Sequence, residues 1–595
     1  MTARPMTARR FALARLARVL TPPLVLGLPP LLWVADATRR ASLTTLGRDQ
    51  GIFQYIAWAL RCGAIDYRDI RDVNGPLTHL VHLLLLGLGG ADEHRFRLVD
   101  LLVTGATFAL VGACVPGLRS SRTPDGVERF AWALAGWVVL SAQYLLYGYW
   151  DLAQRESFLD WFLLPSLALQ LVAQAPRRRP STAERRAWLL VAVGALSVIP
   201  WFGKPTYALF TMAQLFGLAL DDELVFSRQR ALLAFGVGGV LGAATQVAFL
   251  VAYGDVRAFV HIQFTDVPAM YRFIWPRASA DMFSDPWRAT QAIFALVGAA
   301  VMFALICLGE LPRRALAVTL APLCALGSVV GQAKGFPYHF HPVTATVHLQ
   351  WLVFAAWIAD RSRVAQRRWA IVRLAPVAVA AAFSLRIATA MEDSPYVRAV
   401  WLLWGANTPE QRTTSEYFSR FPEPDFFPFE LRQAANFVRR HTGTTDRVQT
   451  YGMDPYLLFL AGRQSATPYI YAYDLNADAA LAGGTGGRPD DTQAARIRGI
   501  RDANEMDLLA RLEARPPAAF VFIDGSPLIS EVDAWTDFER HCTRTAAWVA
   551  AGYREAARFG HDHIWLRTEG VAGVPDESLP VVHRAAAQEN PPSTP

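Results

Sequence analysis

Charged side chains that could act on an anionic substrate fall in polar segments between long apolar runs. Asp49 follows the first of these runs, and a carboxylate in such a place can serve as a general base. The 58 basic residues include two lysines, Lys204 and Lys334, and each lies directly beside an apolar run. These residue types are compatible with an enzyme that acts on an anionic lipid-linked substrate, and they are also compatible with a transporter.

Other polar residues in the same segments could orient a substrate. They are Gln50, Arg155, Glu156, Arg277, Tyr338, His339 and His341. His339 and His341 are two residues apart, a spacing that could suit a metal ion. No third ligand is apparent nearby, so hydrogen bonding is the favoured interpretation of this pair.

Each main candidate also has a purely structural explanation. Asp49 is a favoured capping residue for the start of a helix. Glu156 opens an apolar run, where an acid is stabilised by the helix dipole. Lys204 could extend its ammonium group from a span end towards water. Considered together, they place acids, bases and aromatic rings on one face, and ionisable residues at membrane depth are functional candidates.

The elements that must position these residues are apolar runs of bilayer length. The chain is 53% hydrophobic and 18% charged, against about 25% charged in soluble proteins. About 20 apolar residues cross a bilayer core as a helix, which satisfies every backbone polar group internally. The sequence predicts about eleven spans: 18–37, 97–117, 129–148, 158–175, 187–202, 205–220, 231–253, 289–309, 314–331, 342–359 and 370–390.

Arginine clusters set the predicted orientation of these spans. The basic N-terminus and the segments 176–186 and 361–368 are expected to lie in the cytoplasm, because basic loops stay on that side. The run Leu77–Leu88 is too short to cross comfortably, so we expect it to be re-entrant or interfacial. The odd number of spans then puts the C-terminal domain on the outer side of a plasma (inner) membrane. Five segments share that side: 38–76, 149–157, 201–205, 254–288 and 332–342.

The composition divides the chain into four parts. Residues 1–17 form a cytoplasmic basic arm, and residues 18–390 form the transmembrane bundle with its long outer loop at 38–76. Residues 391–570 read as an extracytoplasmic soluble α/β domain, with strands expected near Val448–Tyr451 and at 519–524. Residues 571–595 are expected to be a disordered tail. The predicted fold class is an α-helical polytopic membrane protein with a C-terminal soluble α/β domain.

Several of these segments carry motifs that resemble the GT-C superfamily of membrane glycosyltransferases. The likeness is to the branch of protein O-mannosyltransferases and the aminoarabinose transferase of lipid A, and it covers roughly residues 10–475. The matching residues are Asp49-Gln50-Gly51, Gly63, Tyr67-Arg68-Asp69, Gly75-Pro76-Leu77, R-E-S-F at 155–158, G-K-P at 203–205 and G-F-P-Y-H-F-H-P at 335–342.

The resemblance implies transfer of a hexose or pentose from a polyprenyl-phosphate donor, with inversion, to an acceptor hydroxyl. The acceptor would be a glycolipid, a polysaccharide or a protein of the cell envelope. Asp49 would be the general base, while Lys204, Arg277 and Lys334 would bind the donor phosphate. The groups that would bind substrate are Gln50, Arg155, Glu156, Tyr338, His339 and His341.

The same resemblance bears on cofactors and partners. Many members of the superfamily have Glu at the position of Gln50 and some bind a divalent metal nearby, so we expect no cofactor or metal here. N-G-P at 74–76 replaces the K-P-P of some members, so their substrate is not carried over. No G-x-x-x-x-G-K-[ST] motif suggests a nucleotide-sugar donor. The basic clusters lie in short loops, so no nucleic-acid partner is expected.

Two other functions remain open from the sequence. A transporter or flippase of lipid-linked substrates would need polar residues along a path through the bundle, and internal repeats would be expected, but none is evident. A non-catalytic scaffold would explain the soluble domain but would leave the polar segments of the bundle unexplained. The transferase hypothesis requires Asp49, Glu156 and Lys204 to converge on one cavity.

Overall fold

The fold is a helical bundle followed by a small α/β domain. The computed structural model describes residues 27–568, without 119–125, 176–182, 223, 225–226, 365–377, 381, 383–384, 387–388, 391–393, 404–407 and 532. The expected basic arm at 1–17, most of the span at 370–390 and the tail at 571–595 lie outside these described residues.

The described part of the bundle contains twelve long helices, in addition to short helical segments and the residues near 378–390. They are α1 (27–41), α2 (Arg48–Arg61), α3 (Pro76–Gly89), α4 (Glu93–Cys114), α5 (Gly126–Leu145), α6 (Arg155–Ala173), α7 (Ala183–Val198), α8 (Ala208–Leu220), α9 (Arg228–Tyr253), α10 (Pro286–Cys307), α11 (Leu316–Gln332) and α12 (His341–Val364). The short helical segments are Val115–Leu118, Gly148–Asp151, Ile199–Phe202, Pro205–Tyr207, Val256–His261, Ile262–Asp266, Val267–Ala269, Tyr271–Phe273, Ser279–Met282, Arg313–Ala315 and Pro337–Phe340.

Seven of these helical segments are long and apolar enough to cross a membrane by length and composition. They contain α4, α6, α7, α9, α10, α11 and α12, and each matches a span that the sequence predicts. The predicted span at 205–220 forms the shorter helix α8, and α5 covers most of 129–148. The first predicted span is partly described, as α1. The chain is therefore a multi-pass membrane protein, as predicted.

Helix α3 is one of the two shorter apolar helices in the described part of the chain. Its 14 residues correspond to about 21 Å at 1.5 Å per residue, against about 30 Å for a bilayer core. Its buried residues include Leu77, Val81, Leu85 and Leu86, which pack in the core of the bundle. Helix α3 is thus shorter than a bilayer core, as is α8 with 13 residues.

Small residues allow the closest contact between helices of the bundle. A Cβ atom at Gly194 of α7 would lie 2.0 Å from the carbonyl oxygen of Phe235, and one at Gly238 of α9 would lie 1.9 Å from that of Val191. Neither position can carry a larger side chain at this separation. Without a hydrophobic driving force in lipid, helices associate through such close backbone packing.

The soluble domain is built around a five-stranded sheet. Its strands are β1 (Arg447–Tyr451), β2 (Gln464–Ser465), β3 (Ala519–Ile523), β4 (Tyr553–Phe559) and β5 (Asp562–Arg567), in the order β2-β1-β3-β5-β4. Pairing is parallel between β1 and both β2 and β3, and antiparallel from β3 to β5 and β4. Every residue of β3 is buried, because helices cover both faces of the sheet. Both predicted strands are confirmed.

Helices surround this sheet and link it to the bundle. The longer ones are α13 (Pro395–Leu402), α14 (Pro428–His441), α15 (Tyr456–Ala461), α16 (Asp491–Ala514), α17 (Ala534–His541) and α18 (Thr543–Gly552). The shorter ones are Gln411–Thr413, Ser415–Phe418, Tyr473–Asn476 and Asp478–Ala482. This is the α/β domain that the sequence predicts after the bundle.

Two arginines of the first long loop hold the soluble domain against the bundle. The Arg48 guanidinium pairs with Asp454 at 2.9 Å and with Asp425 at 3.1 Å. The Arg71 guanidinium pairs with Asp474 at 2.8 Å and with Asp266 of the bundle at 3.0 Å. These ion pairs therefore connect the loop at 38–76 to both the soluble domain and the bundle.

Replacing Arg71 by Ala should lower the free energy of unfolding by about 3–5 kcal/mol, because it leaves two carboxylates buried without their cation. The side chains of Asp266 and Asp474 are 7% and 2% exposed. Thermal unfolding of the purified protein in detergent measures this effect. Arg68→Ala is the matched control, since Arg68 pairs with Asp69 while 52% exposed, and such pairs contribute about 0–1 kcal/mol. Equal losses in both variants would contradict the docking role of Arg71.

Candidate active site

Two adjoining cavities lie where the polar loops of the bundle meet the soluble domain. One, the Asp49 cavity, has a volume of about 320 Å³ and is lined by Asp49 and by residues of both domains. The other, the Lys204 cavity, has a volume of about 430 Å³ and is lined by Lys204 and by residues of the bundle. They share a wall made of Val73, Asn74, Arg155, Tyr271, Lys334, Phe336 and Tyr338.

All five polar segments that the sequence assigns to one side contribute to these cavities. Asp49, Trp150, Lys204, Tyr271 and Tyr338 each represent one segment. Chain segments separated by up to about three hundred residues are thereby brought to one end of the bundle. The sequence required Asp49, Glu156 and Lys204 to converge on one cavity. Instead, Asp49 and Lys204 line two adjoining cavities, and Glu156, which is buried against Lys204, lines neither.

Each residue of the Asp49-Gln50-Gly51 motif has a separate structural task. Asp49 lies in the first turn of α2 and lines the cavity. The Gln50 side-chain amide donates hydrogen bonds to the carbonyl oxygens of Trp150 and Leu152, at 2.9 and 2.7 Å. A Cβ atom at Gly51 would lie 2.6 Å from the Tyr456 ring of the soluble domain, so glycine permits their contact. The motif therefore places the Asp49 carboxylate in the cavity wall, anchors the start of α2 to the second polar segment and leaves room for the soluble domain to pack against α2.

Lys204 is positioned by a close contact between the first and third polar segments. A Cβ atom at Gly75 would lie 2.0 Å from the carbonyl oxygen of Phe202, so only glycine permits this approach. The Lys204 ammonium pairs with the fully buried carboxylate of Glu156 and donates a hydrogen bond to Gln332. This pairing holds the cation in the wall of its cavity.

Arg155 stands in the wall between the two cavities. Its guanidinium donates hydrogen bonds to the Asn74 side chain and, at 3.1 Å, to the Tyr338 hydroxyl. It also lies 6.0 Å from the centre of the Phe53 ring, which lines the Asp49 cavity. A guanidinium in this position reaches groups bound in either cavity.

Burial changes the proton affinity of both candidate groups. Desolvation raises the pKa of Asp49, against the opposing effect of the Arg155 and Arg48 charges. Desolvation also lowers the pKa of Lys204 to about 8, although the Glu156 carboxylate acts in the opposite direction. A carboxylate with a raised pKa is a stronger base than an ordinary aspartate.

The remaining lysine and arginine candidates differ in their surroundings. Lys334 lines both cavities, and its ammonium donates hydrogen bonds to the carbonyl oxygens of Tyr271, Arg272 and Ile274. Burial lowers the pKa of Lys334 to about 8. The Arg277 guanidinium lies 5.9 Å from the centre of the Phe336 ring and lines neither cavity.

The two candidate histidines lie in different surroundings. His339 lines the Lys204 cavity, and its Nε2 atom lies 3.5 Å from the Glu156 carboxylate. His341 lies outside both cavities, stacked on the Tyr147 ring at 3.7 Å, with its Nε2 atom 2.8 Å from the Asp151 carbonyl oxygen. The structure therefore does not bring the two rings together around one ligand position.

Sequence reasoning missed a buried acid–histidine chain behind the Asp49 cavity. The His79 ring lies between two carboxylates, with Nδ1 2.6 Å from Asp66 and Nε2 2.8 Å from Asp72. Asp72 lines the Asp49 cavity. His79 falls in an apolar run, so nothing in the local pattern separates it from a core residue.

The soluble domain and its linker supply part of the Asp49 cavity that the sequence did not indicate. Its acids are Glu423 and Asp425, and its aromatic rings are Tyr396, Tyr471 and Tyr473. Stacked rings of this kind, such as Tyr471 and Tyr473 at 5.1 Å, offer flat apolar faces beside hydrogen-bonding hydroxyls. The Asp49 cavity therefore combines carboxylates, guanidinium groups and tyrosine hydroxyls with aromatic faces.

No protein-family model matches the sequence, and no curated protein matches it at the sequence level. The chain is similar in structure to ArnT from Cupriavidus metallidurans in the apo state, with 14% identity, a TM-score of 0.49 and coverage of 93% of this chain and 98% of that one. The same ArnT bound to undecaprenyl phosphate gives 14% identity, a TM-score of 0.47 and the same coverage.

An archaeal protein gives a further match. The oligosaccharyltransferase AglB from Archaeoglobus fulgidus, in complex with an inhibitory peptide and a dolichol-phosphate, has 12% identity and a TM-score of 0.41. The match covers 87% of this chain and 71% of that one. These similarities are structural, at sequence identities of 12% to 14%.

Proposed function

We propose that this protein is a membrane glycosyltransferase that moves a sugar from a polyprenyl-phosphate donor to an acceptor hydroxyl. The observation that carries the proposal is the pair of adjoining cavities, one lined by the Asp49 carboxylate and the other by the Lys204 ammonium group, with Arg155 in their shared wall. A displacement at a sugar carbon needs a base on one side and a phosphate-stabilising cation on the other.

The Lys204 cavity suits the donor. Its polar end carries Lys204 and Arg155, which match a phosphate, while Trp201, Phe259 and Phe264 give it an apolar side. Phe264 is 75% exposed and Trp201 is 37% exposed. Such rings on the surface of a membrane protein can face lipid, where a polyprenyl tail would lie.

The Asp49 cavity suits the acceptor. Arg48 and Arg155, which also line this cavity, form their hydrogen bonds and ion pairs with other residues, Arg48 with Asp425 and Asp454 and Arg155 with Asn74 and Tyr338. In the proposed role, Asp49 accepts a proton from a bound hydroxyl group. The tyrosine rings on the soluble side would hold the acceptor against it.

The proposed reaction is a single displacement. The acceptor oxygen forms a bond to the anomeric carbon as the bond from that carbon to the phosphate oxygen breaks. The acceptor proton passes to Asp49, and the departing phosphate is stabilised by Lys204 and Arg155. Attack opposite the leaving group inverts the anomeric centre. The contact of Glu156 with Lys204 fixes the direction of the ammonium group.

The orientation that fits this proposal has the N-terminus in the cytoplasm of a cell with a plasma (inner) membrane. The cavities and the soluble domain would then lie on the outer side. This follows from the arginine clusters of the sequence.

The donor class can be tested with the purified protein in proteoliposomes. We expect label from a polyprenyl-phosphate sugar to move to an acceptor from the cell envelope, with release of one polyprenyl phosphate for each sugar transferred. A nucleotide sugar should give no transfer. Movement of the intact labelled donor across the bilayer without sugar transfer would instead identify a flippase.

A further inference from the structure

A second cluster of potential ligands lies in the soluble domain, outside both cavities. One ligand atom each from Asp478, Asp537 and His541 lies within 4.8 Å of the others. The Ser530 hydroxyl joins them, hydrogen-bonded to Asp478 and lying 3.3 Å from Asp537 Oδ1. Two carboxylates, an imidazole and a hydroxyl therefore surround one small volume.

The His541 ring is aimed into this volume, where it forms an ion pair with Asp478 whose angle does not suit a hydrogen bond. Its Nε2 atom lies 3.0 Å from Asp478 Oδ2 and 3.9 Å from Asp537 Oδ1. The side chain is 7% exposed, and Nε2 forms no hydrogen bond of acceptable angle within the part of the chain that the structure describes. A buried polar atom normally has a partner, and here a bound cation would supply it.

Hydrogen bonds from outside the cluster fix the orientation of Asp537. Its Oδ2 atom accepts hydrogen bonds from the Tyr451 hydroxyl at 2.6 Å and from the Asn476 amide at 3.1 Å. Its Oδ1 atom accepts hydrogen bonds from the Ser530 backbone amide and hydroxyl, both at 3.3 Å, and lies 3.9 Å from His541 Nε2. Outer partners of this kind hold metal-binding carboxylates in position.

We propose that Asp478, Asp537 and His541 bind a divalent transition-metal ion, with Ser530 close to the fourth ligand position. The imidazole nitrogen favours Zn²⁺ over Mg²⁺ or Ca²⁺, which prefer oxygen ligands throughout. The separations of 3.0 to 3.9 Å from the His541 nitrogen to the carboxylate oxygens match those of ligands about 2.0–2.3 Å from one ion.

The proposed ion would stabilise a wall of the Asp49 cavity. The Asn476 amide that orients Asp537 also donates a hydrogen bond to the carbonyl oxygen of Leu528, at 2.9 Å. Leu528 and its neighbour Pro527 line the Asp49 cavity. Through these contacts the ion would hold the segment 525–530 in place beside the acceptor.

A similar cluster in the same domain provides a matched control. Asp524, Asp533 and His563 also lie within ligand distance of one another. Both ring nitrogens of His563 are already bonded, Nε2 to Asp524 at 2.7 Å and Nδ1 to Glu555 at 3.0 Å. The Arg558 guanidinium also neutralises Asp524, at 3.3 Å. This cluster has its partners and should bind no metal.

The test uses the full-length protein, purified in detergent, stripped with a chelator and then given Zn²⁺. We expect the wild type to retain one zinc per chain after gel filtration and to unfold at a higher temperature with zinc than without it. His541→Ala should lose both effects and His563→Ala should keep both. Asp478→Asn, at a site 26% exposed, provides a second variant if His541→Ala does not fold.

The proposal is overturned if the wild type retains no zinc, or if His541→Ala and Asp478→Asn retain as much as the wild type. Equal loss in His563→Ala would also overturn it, because the binding would then not depend on this cluster. Neither result would bear on sugar transfer, since zinc content and unfolding temperature are measured without substrate.

Discussion

Replacing Asp49 by Asn should reduce the rate of sugar transfer by about 10²- to 10⁴-fold, the usual contribution of a general base. The amide keeps the size of the side chain but cannot take the acceptor proton. Because the donor phosphate is assigned to the other cavity, donor binding should stay unchanged. Transfer from a labelled polyprenyl-phosphate sugar, with donor in excess, measures the loss as a fall in kcat.

Asp69→Asn is the matched control for this change. Asp69 belongs to the same loop, but its carboxylate pairs with the exposed Arg68 guanidinium and lines neither cavity. It should transfer sugar at close to the wild-type rate. If Asp49→Asn were equally active, Asp49 would not be the base.

The pH dependence of kcat/KM should show the ionisation of both Asp49 and Lys204. Asp49 acts in its ionised form, and burial raises its pKa, so activity is lost as the pH falls through that raised value. Lys204 acts in its protonated form, with a pKa of about 8, so activity is lost as the pH rises through about 8. The acid limb should be absent from the residual activity of Asp49→Asn.

Replacing Lys204 by Met should reduce both stability and transfer. It leaves the Glu156 carboxylate, whose side chain is 0% exposed, without its ammonium partner, and breaking such a buried pair costs about 3–5 kcal/mol. The same change removes the cation assigned to the leaving phosphate, which should lower kcat/KM by about 10²- to 10³-fold. Thermal unfolding and the transfer assay measure the two losses separately.

The double variant Lys204→Met with Glu156→Gln separates the two roles. Neutralising Glu156 removes the unpaired buried charge, so the unfolding temperature should return towards that of the wild type. Transfer should stay low, because the phosphate still lacks its cation. A double variant with wild-type kcat/KM would mean that Lys204 serves only to neutralise Glu156.

The sequence predicted the features that depend on local pattern. Apolar runs of bilayer length became α4, α6, α7, α9, α10, α11 and α12, and the strand patterns at 448–451 and 519–524 became β1 and β3. Charge together with the count of spans predicted that Asp49 and Lys204 share one side. These inferences follow from period, length and charge, which act over short stretches of chain.

Features that depend on long-range contacts were not predictable from the sequence. The Gln50 amide donates hydrogen bonds to two backbone carbonyl oxygens of the second polar segment, and Gln50 lines neither cavity. No local sequence pattern indicates this arrangement. Lys334 is bonded to carbonyl oxygens and His341 packs on an aromatic ring. The Asp66–His79–Asp72 chain and the tyrosine wall of the Asp49 cavity form only when the loop at 38–76, α3 and the soluble domain pack together.

In the proposed reaction, the base and the phosphate-binding cation act from opposite sides of one reacting centre. The most direct test is the equilibrium affinity for the same polyprenyl-phosphate sugar, measured without acceptor, in two inactive variants. We predict that Asp49→Asn binds the donor as tightly as the wild type, while Lys204→Met with Glu156→Gln binds it at least about tenfold more weakly, the loss of a charge-assisted hydrogen bond. Equal affinities in the two variants would contradict the division of roles between the cavities.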